Sequence, residues 1–205
     1  MKRCVIVGGA DINDYEIIRR YLDYDDFFIF CDSGLKHLKN LGVEANLVVG
    51  DFDSFNGKRP ETETIVLPCE KDDTDTVYAV KEAIKRGFTD FVIIGAVGGR
   101  FDHSMGNVSI LAMLDSLNKN AVLVDDFSEM LVVSEKEIKI EKSFSYFSLL
   151  NLFGTAKGIY IENAKYPLEN AEITCEYQYG ISNEVAGKEA YVRVEQGRML
   201  LVKVR

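Results

Sequence analysis

The fold is decided by residues 90–126, DFVIIGAVGGRFDHSMGNVSILAMLDSLNKNAVLVDD, which give the patterns of a strand, a helix and a strand in turn. The apolar run DFVIIGAVGG ends in two glycines, and DHSMGNVSILAMLDSL then places apolar residues near helical spacing. The run NAVLVDD predicts the next strand. Parallel strands are joined by such helical crossovers, so this stretch predicts a parallel β-α-β unit.

The same alternation extends toward the N-terminus. The runs RCVIVGG, FFIFCD, NLVVGD and ETIVLP predict four further strands. Helices are predicted over residues 14–23, over residues 33–41 and in DTDTVYAVKEAIKRG, which Gly87 closes. Short apolar strands that alternate with helices are typical of a mainly parallel sheet with helices on both faces.

The pattern changes near residue 127, where β-branched and aromatic residues alternate with polar ones. The stretch EAYVRVEQGRMLLVKV predicts a hairpin around Gln196-Gly197, with Val192 and Val194 on the face opposite Arg193. We therefore predict an α/β domain over residues 1–130, with a mainly parallel sheet and helices on both faces. A smaller antiparallel β-sandwich domain over residues 131–205 is predicted to follow it.

Composition excludes several classes of protein. The net charge of −9 argues against a surface for nucleic acid or anionic membrane, and it fits a cation-collecting site and an ordinary acidic surface equally. Four scattered cysteines and two histidines give neither a zinc pattern nor a disulfide framework. The N-terminal apolar run is too short for a signal peptide, and no stretch is long enough to span a membrane, so we expect a cytoplasmic protein.

Two aspartates follow the strand NLVVGD directly. If extended geometry continues, Asp51 and Asp53 project to the same side, and carboxylates about 6 Å apart repel by roughly 3 kcal/mol at an effective dielectric constant of 20. A shared proton or a bound cation removes that repulsion. Mg²⁺ takes a few carboxylates together with water and phosphate oxygens. The alternative is an exposed turn in which an aspartate caps the next segment.

A second acidic cluster precedes the helix predicted in DTDTVYAVKEAIKRG. One of Asp72 and Asp73 is expected to be the N-cap of that helix, and Asp75 offers a third carboxylate to a metal. In open parallel sheets, ligands bind beyond the carboxyl ends of the strands, where both acidic clusters are predicted to lie. The residues alone therefore predict a magnesium–phosphate site at this edge of the sheet.

The stretch AVGGRFDHSMGN supplies features suited to an anion. Gly98 and Gly99 allow close backbone approach, Arg100 can hold a phosphate through two hydrogen bonds, and the helix start favours negative charge. Neither a P-loop nor a G-x-G-x-x-G pattern is present. His103 is either a base or a structural residue beside the helix start.

Four motifs, GDFDS, KDDTDT, GGRFDH and YGISNE, occur in this order, and together they resemble the bacterial thiamine pyrophosphokinases over essentially the whole chain. YGISNE alone would predict only a polar turn. Two features depart from that family. The second strand ends in Cys31-Asp32-Ser33-Gly34 instead of the usual A-D-G-G, and the chain has no tryptophan, which some members place against thiamine.

The resemblance implies a magnesium-dependent transfer of a diphosphate from ATP to the thiamine hydroxyl, giving thiamine diphosphate and AMP. It implies that Mg²⁺ is held by Asp51, Asp53 and Asp75. It implies phosphate contacts from Arg100, Ser54 and Thr74. Asp32, His103 and the Gly8-Gly9 turn would border the nucleotide, and Asp102 would orient Arg100 or help to activate the hydroxyl. Ser182 and Asn183 would hydrogen-bond the aminopyrimidine ring of thiamine.

The resemblance also implies a homodimer, with each active site between the α/β domain of one subunit and the β domain of the other. ATP and Mg²⁺ would then bind residues 1–130 and thiamine residues 131–205. Two alternatives share the same carboxylates. One is another metal-dependent nucleotide phosphotransferase or phosphohydrolase, and the other is a non-enzymatic magnesium–nucleotide sensing module.

Overall fold

The computed structural model describes residues 3–52, 60–70 and 72–205. The chain divides into two compact units, Met1–Asp126 and Phe127–Arg205. Within the described ranges, no helix combines the length and the apolar character needed to cross a membrane.

The first unit contains a parallel sheet. Its strands are β1 (Arg3–Val7), β2 (Phe27–Cys31), β3 (Leu47–Gly50), β4 (Glu63–Val66), β5 (Asp90–Ile94) and β6 (Asn120–Val124). They pair in parallel in the order β4-β3-β2-β1-β5-β6. The chain therefore runs outward from β1 to one edge and resumes on the other side at β5. This reversal between β1 and β5 is a topological switch point, the place where open α/β sheets bind ligands.

Helices cover both faces of this sheet, as the sequence predicted. They are α1 (Tyr15–Arg19), a 3₁₀ helix (Asp32–His37), α2 (Leu38–Leu41), α3 (Asp75–Lys85) and α4 (Phe101–Ser116). On one face, Val5 and Val7 pack in one buried cluster with Ile18 of α1 and Leu41 of α2. On the other face, Cys31 Sγ lies 4.0 Å from Thr76 Oγ1 of α3.

One predicted helix has a different form. Residues 33–41 form most of the 3₁₀ helix and then the single turn of α2. The backbone there lies directly against β1, because a Cβ on Gly34 would stand 2.2 Å from the carbonyl oxygen of Val7. Spacing of apolar residues in the sequence cannot distinguish the two helix types over such a short segment.

The second unit is an antiparallel β-sandwich, as predicted. Its strands are β7 (Ser128–Val133), β8 (Ile138–Glu141), β9 (Tyr146–Leu150), β10 (Lys157–Glu162), β11 (Leu168–Glu172), β12 (Glu189–Gln196) and β13 (Met199–Val204). One sheet contains β7-β13-β9 and the other has the order β11-β10-β12-β8. Side chains of both sheets share one buried core that includes Phe147, Leu149 and Ile159.

The predicted hairpin around Gln196-Gly197 is wrong. In the structure β12 pairs with β10 and β8, whereas β13 pairs with β7 and β9. The alternation itself is confirmed, because Val192 and Val194 are buried while Arg193 is half-buried. These valines meet Met199 and Leu201 in the same core, so the two strands face each other across the sandwich. Alternation fixes which face of a strand is buried, and it does not fix the neighbour to which the strand bonds.

Candidate active site

A cleft of about 670 Å³ lies at the carboxyl ends of the strands of the first unit. Its walls are the segments that follow β1, β2, β3 and β5, together with the start of α3 and of α4. This is the switch point between β1 and β5, so the sheet topology places the cleft where a ligand is expected.

Glycines bring the strand ends close together. A Cβ on Gly8 would stand 2.5 Å from the carbonyl oxygen of Gly95, and one on Gly50 would stand 2.5 Å from Cβ of Asp32. No side chain fits at either place without displacing backbone. Gly8, which was predicted to border the nucleotide, thus also allows the ends of β1 and β5 to converge, and Gly50 allows Asp32 to lie beside the end of β3.

Carboxylates dominate the floor of the cleft. Asp32 is 3% exposed, and the Oδ1 atoms of Asp32 and Asp75 are both fully buried. Asp51 and Asp75 line the cleft and are half-buried. Two of the three predicted magnesium ligands thus lie in one cleft, whereas Asp53, like Ser54, falls outside the described residues.

The donor atoms fit a hard cation. Carboxylate oxygens that leave positions for water and phosphate are the ligands that Mg²⁺ prefers. Within residues 3–52, 60–70 and 72–205, no group of three His, Cys, Asp or Glu side chains is placed to hold a metal. The described part of the chain therefore presents two of the three predicted ligands, Asp51 and Asp75.

The segment after β3 does not continue as a strand. β3 ends at Gly50, and Phe52 has a φ of 60°. The left-handed region is rarely adopted by a bulky residue, and such strain often marks a functional site. Extended strand geometry, the condition for two aspartates that project to the same side, therefore does not continue through Phe52.

The N-cap of α3 is Thr74, whose Oγ1 accepts a hydrogen bond from Val77 N at 3.3 Å. The expectation that Asp72 or Asp73 caps this helix is wrong. Asp73 instead pairs with Lys81 at 2.6 Å, and Asp72 is exposed. Because the threonine supplies the cap, Asp75 occupies the first helical position, where the helix dipole favours a negative charge or a bound anion.

The segment after β5 presents Arg100 and His103 to the cleft. Arg100 Nη2 donates to Asp102 Oδ2 at 2.6 Å, and this hydrogen bond lowers the pKa of the Asp102 carboxyl. Two buried residues of α4 that the sequence did not single out hold the segment. Ser104 Oγ accepts from Gly98 N at 3.0 Å, and Asn107 Nδ2 donates to the Ala96 carbonyl at 2.7 Å. Their spacing of three places both on the side of α4 that faces the segment.

The charges in the cleft are unbalanced. Among the described lining residues, two side chains carry positive charge, Lys36 and Arg100, against six aspartates: Asp11, Asp32, Asp51, Asp72, Asp73 and Asp75. A polyphosphate would meet net repulsion here unless cations enter with it. The electrostatics of the described lining therefore favour the entry of cations over that of a free anion.

In the second unit, Ser182 and Asn183 occupy different environments. Ser182 is exposed, its φ is 57°, and its N–H donates to Ser148 Oγ at 3.0 Å. Asn183 is 3% exposed, and its side-chain amide bonds the backbone N–H and carbonyl of Tyr166 at 3.0 and 2.7 Å. The Asn183 amide thus connects two loops, whereas the Ser182 side chain is exposed.

Two sequence profiles match this chain. "Thiamin pyrophosphokinase, catalytic domain" matches residues 18–123, which is more than half of the chain. "Thiamin pyrophosphokinase, vitamin B1 binding domain" matches residues 135–199.

The chain belongs to the thiamin pyrophosphokinase family.

Similar proteins match this thiamin pyrophosphokinase family member over nearly its whole length. The thiamine pyrophosphokinase of Bacillus subtilis (strain 168) is 26% identical over 211 residues, which is 99% of each chain. A crystal structure of the Bacillus subtilis thiamine pyrophosphokinase gives a TM-score of 0.88 at 26% identity, with 99% of each chain covered. The thiamin pyrophosphokinase from Geobacillus thermodenitrificans gives 0.85 at 25% identity, over 99% of this chain and 97% of that one.

His37 lies beneath the cleft of this family member and is 2% exposed. The sequence did not single it out. Its Nε2 lies 2.8 Å from the Ala10 carbonyl oxygen and its Nδ1 lies 2.7 Å from the Tyr15 hydroxyl. A carbonyl only accepts, so Nε2 carries the proton and neutral Nδ1 accepts from the tyrosine. Burial lowers the pKa of His37, although the hydrogen bond to Ala10 acts in the opposite direction.

We expect this histidine to make stability depend on pH. The unfolded histidine titrates near about 6.5 and the folded one below that. Between these two pKa values the unfolded chain binds more protons, so the free energy of unfolding falls as the pH is lowered through about 6.5 toward the pKa of the folded histidine. Urea unfolding of wild type and His37→Gln at several pH values measures this. The variant should show a flatter dependence, and equal slopes would contradict the assignment.

Proposed function

We propose that this protein is a magnesium-dependent thiamine diphosphokinase, which transfers a diphosphate from ATP to the thiamine hydroxyl and releases AMP. The observation that carries the proposal is the acidic cleft at the switch point, where Asp51 and Asp75 face a space large enough for a nucleotide. Membership of the thiamin pyrophosphokinase family supports the choice of substrates.

The roles proposed for the first unit follow from charge and position. Asp51 and Asp75, with Asp53, would hold Mg²⁺, which when bound neutralises the phosphate oxygens and the charge that develops on them. Arg100 would grip the phosphate chain, and the 2.6 Å contact supports Asp102 as the residue that orients the guanidinium. Asp32, Ser54, Thr74, His103 and the Gly8-Gly9 turn would border the nucleotide.

The second unit would bind thiamine through Ser182. Ser182 lies in a loop where its own backbone is left-handed. The Asn183 side chain hydrogen-bonds the backbone of Tyr166, and Tyr166 is 57% exposed. The Tyr166 ring lies 5.6 Å from Lys165 Nζ, so this aromatic ring can interact with a cation, and a flat, cationic ring system would compete with the lysine for it. On this arrangement Asn183 acts mainly by holding the loop that presents the ligand-binding groups.

The chemistry requires attack of the thiamine hydroxyl oxygen on the β-phosphorus of ATP. The bond from this phosphorus to the oxygen shared with the α-phosphate breaks, AMP leaves with the electron pair, and the hydroxyl proton passes to a base. Most of the catalytic effect in such transfers comes from positioning and charge neutralisation. Among the described residues, the aspartates of the cleft and Arg100 are groups suited to that work.

Product analysis tests the proposal directly. The purified protein is mixed with ATP, Mg²⁺ and thiamine, and the products are separated by ion-exchange chromatography. We expect thiamine diphosphate and AMP in equal amounts, and loss of both when EDTA is added. Rapid hydrolysis of ATP without thiamine would favour a phosphohydrolase instead, and tight binding of ATP without turnover would favour a sensing module.

We further propose a homodimer in which the cleft of one subunit meets the thiamine loop of the other. Mixing two inactive variants, Asp75→Asn and Ser182→Lys, tests this. Random pairing makes half of the dimers mixed, with one intact site each, so about a quarter of the wild-type activity should return. If each site lies within a single chain, the mixture stays inactive.

Replacing the Ser182 hydroxyl should weaken thiamine binding selectively. One lost hydrogen bond is expected to raise the KM for thiamine about fivefold to thirtyfold, with the KM for ATP unchanged. Steady-state kinetics of Ser182→Ala and Ser182→Gly measure this, because both variants lack the hydroxyl but only glycine relieves the positive φ. Equal changes in both KM values would remove this loop from the thiamine site.

A further inference from the structure

The loop between β1 and α1 is held from two directions. The Asp126 carboxylate accepts hydrogen bonds from Asn13 N at 2.9 Å, from Asn13 Nδ2 at 2.8 Å and from Asp14 N at 3.1 Å. His37 donates to the Ala10 carbonyl from below. These contacts hold the backbone on both sides of Asp11, so the fold defines the position of the Asp11 backbone at the cleft wall.

Asp11 forms an ion pair with Lys36 at the wall of the cleft. Lys36 Nζ lies 2.6 Å from Asp11 Oδ1, and both residues line the cleft. The hydrogen bond from Lys36 lowers the pKa of Asp11. The side chains are 43% and 85% exposed, and ion pairs of this kind contribute little to stability. A stronger anion can therefore take the lysine at small cost to the fold.

A polyphosphate is such an anion. The two positive side chains among the described lining residues are Lys36 and Arg100, and Arg100 is already oriented by Asp102. A lysine ammonium has three rotatable donors on a flexible stem, so it can follow a phosphate oxygen without a fixed geometry. Its partner Asp11 would compete with the phosphate for the same donors.

We propose that Lys36 binds the phosphate chain of the nucleoside triphosphate and releases Asp11 when the nucleotide enters the cleft. This inference rests on the proposed function, because it assigns a further residue to the same nucleotide site. It makes Asp11 a competitor whose removal strengthens nucleotide binding.

Calorimetry with α,β-methylene-ATP and Mg²⁺, in the absence of thiamine, tests this assignment. Lys36→Met should raise the Kd about tenfold, the effect of losing one charge-assisted hydrogen bond. Asp11→Asn should lower the Kd about threefold, since the lysine is released and one repulsive charge is lost. Lys36→Arg should restore most of the affinity. The Kd is expected to rise in Lys36→Met and to fall in Asp11→Asn only if Lys36 leaves Asp11 when it binds the phosphate chain.

Lys39→Met is the matched control, since Lys39 is an exposed lysine on α2 and should leave the Kd unchanged. An unaltered Kd in Lys36→Met, or equal weakening in Lys36→Met and Asp11→Asn, would show a surface ion pair only. Absence of binding to wild type would overturn the nucleotide site as a whole. If the analogue binds as expected while thiamine is not converted, the proposed reaction fails and the Lys36 assignment stands.

Discussion

Replacing Asp75 by asparagine is expected to lower kcat/KM by about 10²-fold to 10³-fold, the range seen when a preorganised charge-stabilising group is removed. Asp75 begins α3 at the cleft wall with one carboxylate oxygen fully buried. Asparagine keeps the shape of the side chain but removes the negative charge that a divalent cation needs. We also expect the Mg²⁺ concentration required for half-maximal activity to rise.

Asp73→Asn provides the control for this experiment. Asp73 also lies near the start of α3, but its carboxylate pairs with Lys81. Both variants remove one charge near the same helix terminus, which changes stability by only about 0.3–1 kcal/mol. Activity assays with a titration of Mg²⁺, together with urea unfolding, separate the two effects. Equal activity losses in Asp73→Asn and Asp75→Asn would contradict a specific role in metal binding.

Replacing Gly34 by alanine is expected to destabilise the first unit by about 3 kcal/mol or more, at or beyond the upper end for an overpacked site. The new Cβ would stand 2.2 Å from the Val7 carbonyl oxygen and 3.0 Å from that of Gly8. Both are backbone atoms of the central strand and its end, so relief requires the 3₁₀ helix to move away from β1. The free energy of unfolding in urea measures the loss.

Gly9→Ala offers an informative comparison. Its Cβ would stand 1.9 Å from Ser33 Oγ and 2.6 Å from Ser33 Cβ, which are side-chain atoms. Adding Ser33→Gly should therefore recover most of the stability lost in Gly9→Ala, and the same second change should not rescue Gly34→Ala. Rescue of both variants, or of neither, would contradict this account. Ser33 replaces a glycine of the family's usual A-D-G-G, so Gly9 and Ser33 are expected to be coupled in this chain.

The sequence predicted the parts of this fold that depend on local patterns. Apolar runs ending in glycine or aspartate located five of the six parallel strands, because a strand buried on both faces has few polar positions. The sixth, β4, is partly exposed, and its run ETIVLP ends in proline. The same runs placed Asp32, Asp51 and Arg100 at strand ends, and the structure brings all three to the cleft. Parallel pairing alone is sufficient for that, since every such strand ends at the same edge of the sheet.

The missed features depend on partners that are distant in the sequence. His37 and Tyr15 are neighbours only because α1 and the 3₁₀ helix pack on one face. The sheet to which β13 belongs is set by how the sandwich closes, and the alternating pattern of β13 is the same in either sheet. The left-handed φ of Phe52 also has no local cause in a residue of that type, so it could not be anticipated.

The position of β13 in its sheet has a consequence for biosynthesis. This strand lies between β7 and β9, yet it follows both of them in the chain. While residues 199–204 are still inside the ribosome, the nascent β-sandwich lacks a central strand and exposes two bonding edges. Chaperone protection during synthesis would therefore matter most for this unit, and the N-terminal unit can fold earlier.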